Sequence, residues 1–310
     1  MKKVLIAAPV HPVLTDGLKA EGYECLMHEK ISQQQAFELV KDVTGIITST
    51  RLQLDKDLIY AAPQLQWIGR MGSGMEVIDV SYAETKGIKC FGSPNGNANA
   101  VAEHAMGMLL SLNKRIIKSN NEVKQGQWLR DENRGTELEG KTIGLIGFGH
   151  TGRAFAKKLI GFDMQILAYD KYNRQHFPTY VNPCDTLDPI FEHADIISFH
   201  VPLQADTTHY FNKHFLEKVT KPFILINTSR GVVVDNEVLL FGMQNKKISG
   251  VCLDVWEEEP LGNMSDKQKE LLIDISNRSN AILTPHIAGY SFEAVYKMSK
   301  ILLDKIVMMK

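Results

Sequence analysis

The stretch from Thr142 to Gly152, T-I-G-L-I-G-F-G-H-T-G, restricts this chain more than any other. Ile143, Leu145 and Ile146 flank Gly144 in a short apolar run, the pattern of a parallel strand buried on both faces. Gly147, Gly149 and Gly152 follow with the spacing G-x-G-x-x-G, and Ala154, Phe155, Lys158 and Leu159 then take up helical spacing. In a strand, a glycine turn and a helix, in that order, each of the three glycines has its own task. Gly147 permits the tight turn, Gly149 lets a pyrophosphate approach the backbone, and Gly152 lets the helix lie close to its strand. The unpaired N–H groups of the helix start then face the phosphates. Met164–Tyr169 reads as the next strand. Asp170 at its end lies where a carboxylate accepts ribose hydroxyls. The same carboxylate repels a 2′-phosphate, so the expected cofactor is NAD rather than NADP.

The chain has room for a second core, with 310 residues of which 44% are hydrophobic. Its 35 basic and 36 acidic residues leave a formal charge of −1, which argues against nucleic acid or a membrane surface as partner. Cys25, Cys90, Cys184 and Cys252 are scattered and form no C-x-x-C. Neither a zinc site nor a redox pair is indicated, no metal is expected, and free thiols suit a cytoplasmic enzyme. Lys2 and Lys3 precede only a short apolar run broken by Pro9 and Pro12, a first strand rather than a signal peptide. No apolar stretch is long enough to span a bilayer.

Before the glycine stretch, apolar runs at 4–8, 23–28, 45–49, 65–69 and 88–91 read as strands. They alternate with helical segments at 12–21, ending at Gly22, and 32–40, capped by Ser32. Such alternation means a parallel sheet covered on both faces. The turn-rich Ser93–Asn97 closes this unit as a candidate hinge. A helix follows on Val101, Ala105, Met108, Leu109 and Leu112, with Asn97 or Asn99 as cap, and is predicted to continue past Arg115 and Ile116. After Asp170, strands are expected at 195–200, 223–227, 248–253 and 281–283, making six with the two around the glycines. An amphipathic helix is expected over 291–310, with Val295, Met298, Ile301, Leu302 and Ile306 on one face. In such sheets ligands bind beyond the carboxyl ends of the strands, where His200-Val201-Pro202, Thr228-Ser229-Arg230, Asp254 and Thr284-Pro285-His286 stand. Core packing does not ask for polar residues from four strands at one edge; a site does.

Three of these loops carry an arginine, a glutamate and a histidine. Arg230 lies in N-T-S-R-G, Glu257, Glu258 and Glu259 in D-V-W-E-E-E-P, and His286 in T-P-H-I-A-G. Hydride transfer from a hydroxy acid uses these types. A guanidinium holds a carboxylate and the adjoining carbonyl with paired N–H donors. An imidazole takes the hydroxyl proton and returns it in reverse. A carboxylate against the other ring nitrogen orients the imidazole and favours its protonated form. The residues alone do not single out one of the three glutamates, and an acidic run is ordinarily a wet surface.

Six motifs in fixed order then carry a family resemblance over essentially the whole chain. They are N-G-N-A-N-A-V-A-E-H at 95–104, G-F-G-H-T-G at 147–152, H-V-P-L at 200–203, N-T-S-R-G at 227–231, L-D-V-W-E-E-E-P at 253–260 and P-H-I-A-G at 285–289. Together they resemble the D-isomer-specific 2-hydroxyacid dehydrogenases. The resemblance implies an α/β protein of two doubly wound parallel-sheet domains. A Rossmann dinucleotide-binding domain at 98–285 is inserted into a flavodoxin-like substrate domain made of 1–97 and 286–310. It implies catalysis by Arg230, Glu259 and His286, with Glu259 as the partner of the histidine. Cofactor contacts are implied for Gly147, Gly149, His150, Thr151, Gly152, Asp170, His200, Val201, Pro202, Thr228, Ser229, Arg230, Asp254, His286, Ala288 and Gly289, with Asp254 on the nicotinamide carboxamide. Backbone groups of Gly72, Ser73 and Gly74 are implied to hold the substrate carboxylate. A homodimer through the cofactor domains is also implied, with Trp128 near its surface.

Within that family the segments S-P-N-G-N at 93–97, Q-G-Q-W at 125–128, R-G-T-E-L at 134–138 and I-G-R-M-G-S-G at 68–74 resemble 3-phosphoglycerate dehydrogenases, enzymes of serine biosynthesis; feedback through the regulatory extension of their longer forms is not expected. A phosphate needs cations in the first domain. Arg70 matches one of that pattern; the second expected arginine is replaced by Ser49, with Arg51 two positions on. The expected reaction is oxidation of 3-phosphoglycerate to 3-phosphohydroxypyruvate. The alternative is a glyoxylate or hydroxypyruvate reductase, which needs no phosphate pocket. A more distant one is an NADH-sensing binding protein of the corepressor kind, against which the presence of all three catalytic residues argues.

Overall fold

A computed structural model describes residues 1–173 and 176–309. Contacts divide the chain into two units, Met1–Ala100 with Gly289–Lys310, and Val101–Ala288.

In the first unit five strands, β1 (Lys2–Ala7), β2 (Tyr23–Met27), β3 (Val43–Thr48), β4 (Trp67–Arg70) and β5 (Lys89–Gly92), form a parallel sheet in the order β2-β1-β3-β4-β5. This is the flavodoxin-like doubly wound order, whose switch point lies between β1 and β3. Successive residues of a strand face opposite sides, and the core divides accordingly. Leu5, Ile46 and Ile68 pack with Ala36, Leu58 and Ala83 from the helices Gln33–Leu39, Lys56–Tyr60 and Val80–Thr85. Val4, Ile6, Ile47 and Trp67 pack with Leu14 and Leu18 of Pro12–Ala20 and with Met298, Leu302 and Ile306 of Phe292–Val307. Local chemistry sets the ends of these helices. Ser32 and Gln35 form a reciprocal capping box. Gly22, at φ +85°, follows the end of Pro12–Ala20. On the expected face of the last helix Met298, Leu302 and Ile306 are buried, whereas Val295 and Ile301 are partly exposed; Lys310 lies outside the described residues.

Among its described residues the second unit contains seven parallel strands: β6 (Thr142–Ile146), β7 (Gln165–Tyr169), β8 (Asn182–Cys184), β9 (Ile196–Phe199), β10 (Phe223–Asn227), β11 (Ile248–Leu253) and β12 (Ala281–Leu283), in the order β12-β11-β10-β9-β6-β7-β8. One more is present than the six expected. The additional strand, β8, is three residues of N-P-C at the sheet edge. It lacks an apolar run, and Pro183 is tolerated there because an edge has a side without ladder bonds. The long helix expected past Arg115 also differs. It spans Ala98–Asn113, and a separate helix, Ile116–Lys124, starts after Arg115 at φ 53°. The end of the first helix is captured by tertiary contact. The carbonyl of Asn113 accepts the N–H of Thr136, 2.9 Å away, and a Cβ on Gly135 would meet that same oxygen. Helix His150–Leu159 lays Phe155, Ala156 and Leu159 on Ile143, Leu145 and Ile166, together with Ala102, Ala105 and Leu109. Among the described residues no helix is long and apolar enough to cross a membrane.

Candidate active site

The carboxyl end of β6 turns sharply through the glycines. Gly147 sits at φ +94°, and a Cβ there would meet the His200 carbonyl group. A Cβ on Gly152 would meet the carbonyl oxygen of Gly147, whereas one on Gly149 would point into open space. Backbone and helix therefore meet closely at the outer two positions, and the middle one leaves room for a phosphate. Asp170 ties this turn to β7. Its Oδ2 accepts the Phe148 N–H at 2.7 Å, and its Oδ1 accepts those of Tyr172 and Asn173 at 2.9 and 2.8 Å. Phe148 is buried, stacked on Phe177 with centroids 4.8 Å apart, and Arg153 lies over its ring. Beyond β9, the His200 ring is buried with Nε2 2.9 Å from the Ser198 hydroxyl, and burial pushes its pKa down to about 4. His200 Nδ1 and the Thr228 hydroxyl are buried without a hydrogen-bond partner. Buried polar groups are ordinarily satisfied, so these two strand-end atoms and the open space at Gly149 fit a bound dinucleotide.

The loop after β10 is moulded by Asn227. Its Oδ1 accepts the N–H and hydroxyl of Ser229 at 3.1 and 2.7 Å, and its Nδ2 donates to the Arg230 carbonyl at 2.9 Å. Gly231 then presses against the Trp256 carbonyl, with no space for a side chain. That contact sets the Arg230 loop beside the acidic loop. There each of the three glutamates has its own partner, although Glu259 stays exposed. Glu257 accepts from the Asn236 N–H at 2.7 Å and faces His209 Nε2 at 2.9 Å. Glu258 accepts from the N–H and hydroxyl of Ser265 at 2.6 and 3.1 Å. Glu259 accepts the Trp256 N–H at 2.8 Å through Oε1, while its Oε2 lies 2.7 Å from His286 Nδ1. Burial raises the Glu259 pKa, but the hydrogen bond and charge of His286, helped by Trp256 and Arg230, outweigh it and hold the carboxyl below its usual range. Arg230 and His286 thus both act electrostatically on Glu259. Glu259 engages the Nδ1 edge of the His286 ring and not Nε2.

Residues 106–288 match the family model described as D-isomer specific 2-hydroxyacid dehydrogenase, NAD binding domain. The chain belongs to the D-isomer-specific 2-hydroxyacid dehydrogenases. A hydroxypyruvate reductase from Thermotoga maritima is 33% identical over 303 residues, covering 94% of this chain and 96% of that protein. A D-3-phosphoglycerate dehydrogenase from Archaeoglobus fulgidus is 32% identical over 308 residues; these are 99% of this chain but only 57% of that longer protein. The solved structure of a D-lactate dehydrogenase from Aquifex aeolicus, complexed with NAD and lactic acid, matches with a TM-score of 0.86 at 27% identity, over 99% of this chain and 95% of that one. This dehydrogenase is accordingly an NAD-dependent oxidoreductase with a small 2-hydroxy or 2-keto acid as substrate.

The expected substrate-binding residues of the dehydrogenase lie in its first unit. Arg70 ends β4, paired in register with Thr48 at the end of β3, and Arg51 follows three residues after Thr48. Arg51 is exposed, whereas Arg70 is only 5% exposed, its guanidinium filling the space where a Cβ of Gly72 would stand. The Gly72 N–H is taken up by Ser93 Oγ and the Arg70 carbonyl, both 2.9 Å away. Asp254 has partners of its own: 1% exposed, it accepts hydrogen bonds from the loop that carries His286. Sequence reasoning missed Asn227, Glu257 and His104 as parts of this architecture. His104 closes the 95–104 motif, a signal that was present without a chemical role attached.

Proposed function

We propose that this dehydrogenase oxidises 3-phosphoglycerate to 3-phosphohydroxypyruvate, a step of serine biosynthesis. The observation that carries the reading is the pair Arg51 and Arg70 at the carboxyl ends of adjacent strands β3 and β4, next to the 72–74 turn. Two cations there suit a phosphate. The substrate carboxylate falls to the backbone N–H groups of Ser73 and Gly74, since that of Gly72 is engaged within the protein. Arg230 holds the carbonyl that forms and polarises it in the reverse direction. His286 takes the hydroxyl proton at Nε2, and Glu259 stabilises the imidazolium that results. His200, Thr228 and the glycine turn hold NAD, which accepts the hydride.

The test is a substrate panel. Arg51→Ala, an exposed position, is expected to raise KM for 3-phosphoglycerate about tenfold or more, the worth of one charge-assisted contact, while leaving turnover of glyoxylate unchanged. Unchanged KM in both Arg51→Ala and Arg70→Lys would overturn the phosphate reading. The second reading is reduction of hydroxypyruvate or glyoxylate, favoured by the 33% identity to a hydroxypyruvate reductase of matching length.

A homodimer through the NAD-binding unit forms part of the proposal. Ile116, Ile117, Val123, Trp128 and Leu129 are exposed within one short segment of it, and Trp128 is 78% exposed. A cluster of large exposed apolar side chains is what a subunit contact would cover.

A further inference from the structure

The turn that carries His286 rests on a carboxylate that the proton transfer does not use. Asp254 follows β11 and is 1% exposed. Its Oδ1 accepts the Ile287 N–H at 2.9 Å and the Thr284 hydroxyl at 2.5 Å, and its Oδ2 accepts the Ala288 N–H at 2.7 Å. Its backbone carbonyl accepts the N–H of His286 itself at 2.8 Å. Residues 284–288 are therefore drawn around one side chain and one carbonyl. This matters because His286 has φ 56°. The left-handed region costs a non-glycine residue roughly 1–2 kcal/mol, and such a conformation persists only where its surroundings over-determine it.

The network extends one residue further. Thr284 Oγ1 lies 2.9 Å from His104 Nε2, which is also 3.6 Å from Asp254 Oδ1. The Thr284 hydroxyl has a single hydrogen, and the 2.5 Å contact with Asp254 takes it in preference to Met108 Sδ at 3.9 Å. His104 must then be the donor, through Nε2–H. The directions converge on the carboxylate: His104 Nε2–H donates to the Thr284 oxygen, Thr284 O–H donates to Asp254, and Asp254 accepts in turn from the backbone N–H groups of Ile287 and Ala288 on the far side of His286. A carboxylate held by several donors in a buried place is stiff, because each donor that moved away would leave a buried charge less well satisfied.

We propose that His104 and Thr284 are positioning residues for the reaction, acting on His286 through Asp254. The proposal rests on His286 being the acid/base group. The imidazole must present Nε2 to a hydroxyl within a few tenths of an ångström, and a misplacement of about 1 Å costs on the order of a hundredfold in rate. Neither residue touches the reacting atoms. Their effect belongs in kcat, with cofactor binding left intact.

The experiment compares Thr284→Val with Thr284→Ser, and His104→Leu with His104→Gln, in the full-length enzyme. His286→Ala serves as reference, and the fastest acid of the panel is the substrate. The readouts are kcat, KM and the Kd for NADH from its fluorescence. Thr284→Val and His104→Leu are expected to lower kcat about tenfold to a hundredfold, with Kd for NADH and KM within about twofold of wild type. Serine and glutamine, which keep the hydroxyl and the donor, restore most of kcat. If Thr284→Val does not fold, the His104 pair decides alone. A kcat within about twofold of wild type in His104→Leu and in any folded Thr284→Val, while His286→Ala is inactive, overturns the proposal and leaves the role of His286 standing. A loss confined to NADH affinity also overturns it. If His286→Ala itself keeps its kcat, the underlying reading fails, and the proposal with it.

Discussion

Replacing Glu259 by glutamine probes the imidazole–carboxylate pair with little change of shape. The amide oxygen still accepts the Trp256 N–H, now 2.8 Å from Oε1, and an NH2 takes the place of Oε2, 2.7 Å from His286 Nδ1. A neutral imidazole must then use Nδ1 as acceptor, so Nε2 carries the hydrogen and cannot take the substrate proton. An imidazolium instead meets donor with donor. A hydrogen bond to a charged partner contributes about 1.5–3 kcal/mol. The His286 and Glu259 side chains are 39% and 32% exposed, so solvent screening places this pair in the lower part of that range, about 1.5–2 kcal/mol. At about 1.4 kcal/mol per factor of ten, kcat should fall roughly tenfold to thirtyfold. NADH absorbance gives the rate, and fluorescence titration should show an unchanged Kd for NADH. The carboxyl is held below its ordinary value of 4.5, so the pair's contribution to stability is present above that value and lost as pH falls through the lower folded one. The stability difference between wild type and Glu259→Gln should therefore shrink only at pH below 4.5. A variant whose kcat stays within about twofold of wild type at every pH would refute the assignment of this pair to proton transfer.

Three further outcomes follow from the geometry. Burial moves His200 from 6.5 to about 4, so the unfolded chain takes up a proton first, and stability should fall by up to roughly 3 kcal/mol as pH drops across that window. Urea denaturation across it should show a shallower slope for His200→Gln, and an identical slope would contradict the buried neutral imidazole. Gly152→Ala forces a Cβ onto the Gly147 carbonyl oxygen, an overpacking of about 1–3 kcal/mol at the phosphate turn. Its Kd for NADH should rise about tenfold or more, and a titration superimposable on wild type would count against that turn as the phosphate site. Trp128→Glu places a charge in the exposed apolar segment and should shift sedimentation velocity from dimer towards monomer. An unchanged sedimentation coefficient would remove that segment from the interface.

Much of the fold was legible because its causes are local. The glycine turn is visible in three residues, since only the missing Cβ allows Gly147 and Gly152 to approach backbone carbonyls. The strands were found as apolar runs because both faces of a parallel sheet are covered, and the Ser32 cap because a side chain reaches its own helix within one turn. Where a boundary depended on a distant partner, sequence reasoning failed. The helix break at Arg115 follows from the capture of the Asn113 carbonyl by Thr136, and β8 is a strand because β7 offers it an edge. The site divides in the same way. Arginine, glutamate and histidine at strand ends could be read from their types and positions, but not which of three adjacent glutamates would face the imidazole.

By itself, then, the sequence determined the doubly wound sheets, the dinucleotide turn and the set of groups available for hydride and proton transfer, all properties of segments a few residues long. Tertiary structure alone assigned Glu257 to His209, Glu258 to Ser265 and Glu259 to His286, and drew the 284–288 turn around Asp254. The first and third of those pairings join residues 48 and 27 positions apart, and His104 and Thr284 are 180 apart; only the packing of strands and helices brings such side chains within hydrogen-bonding distance.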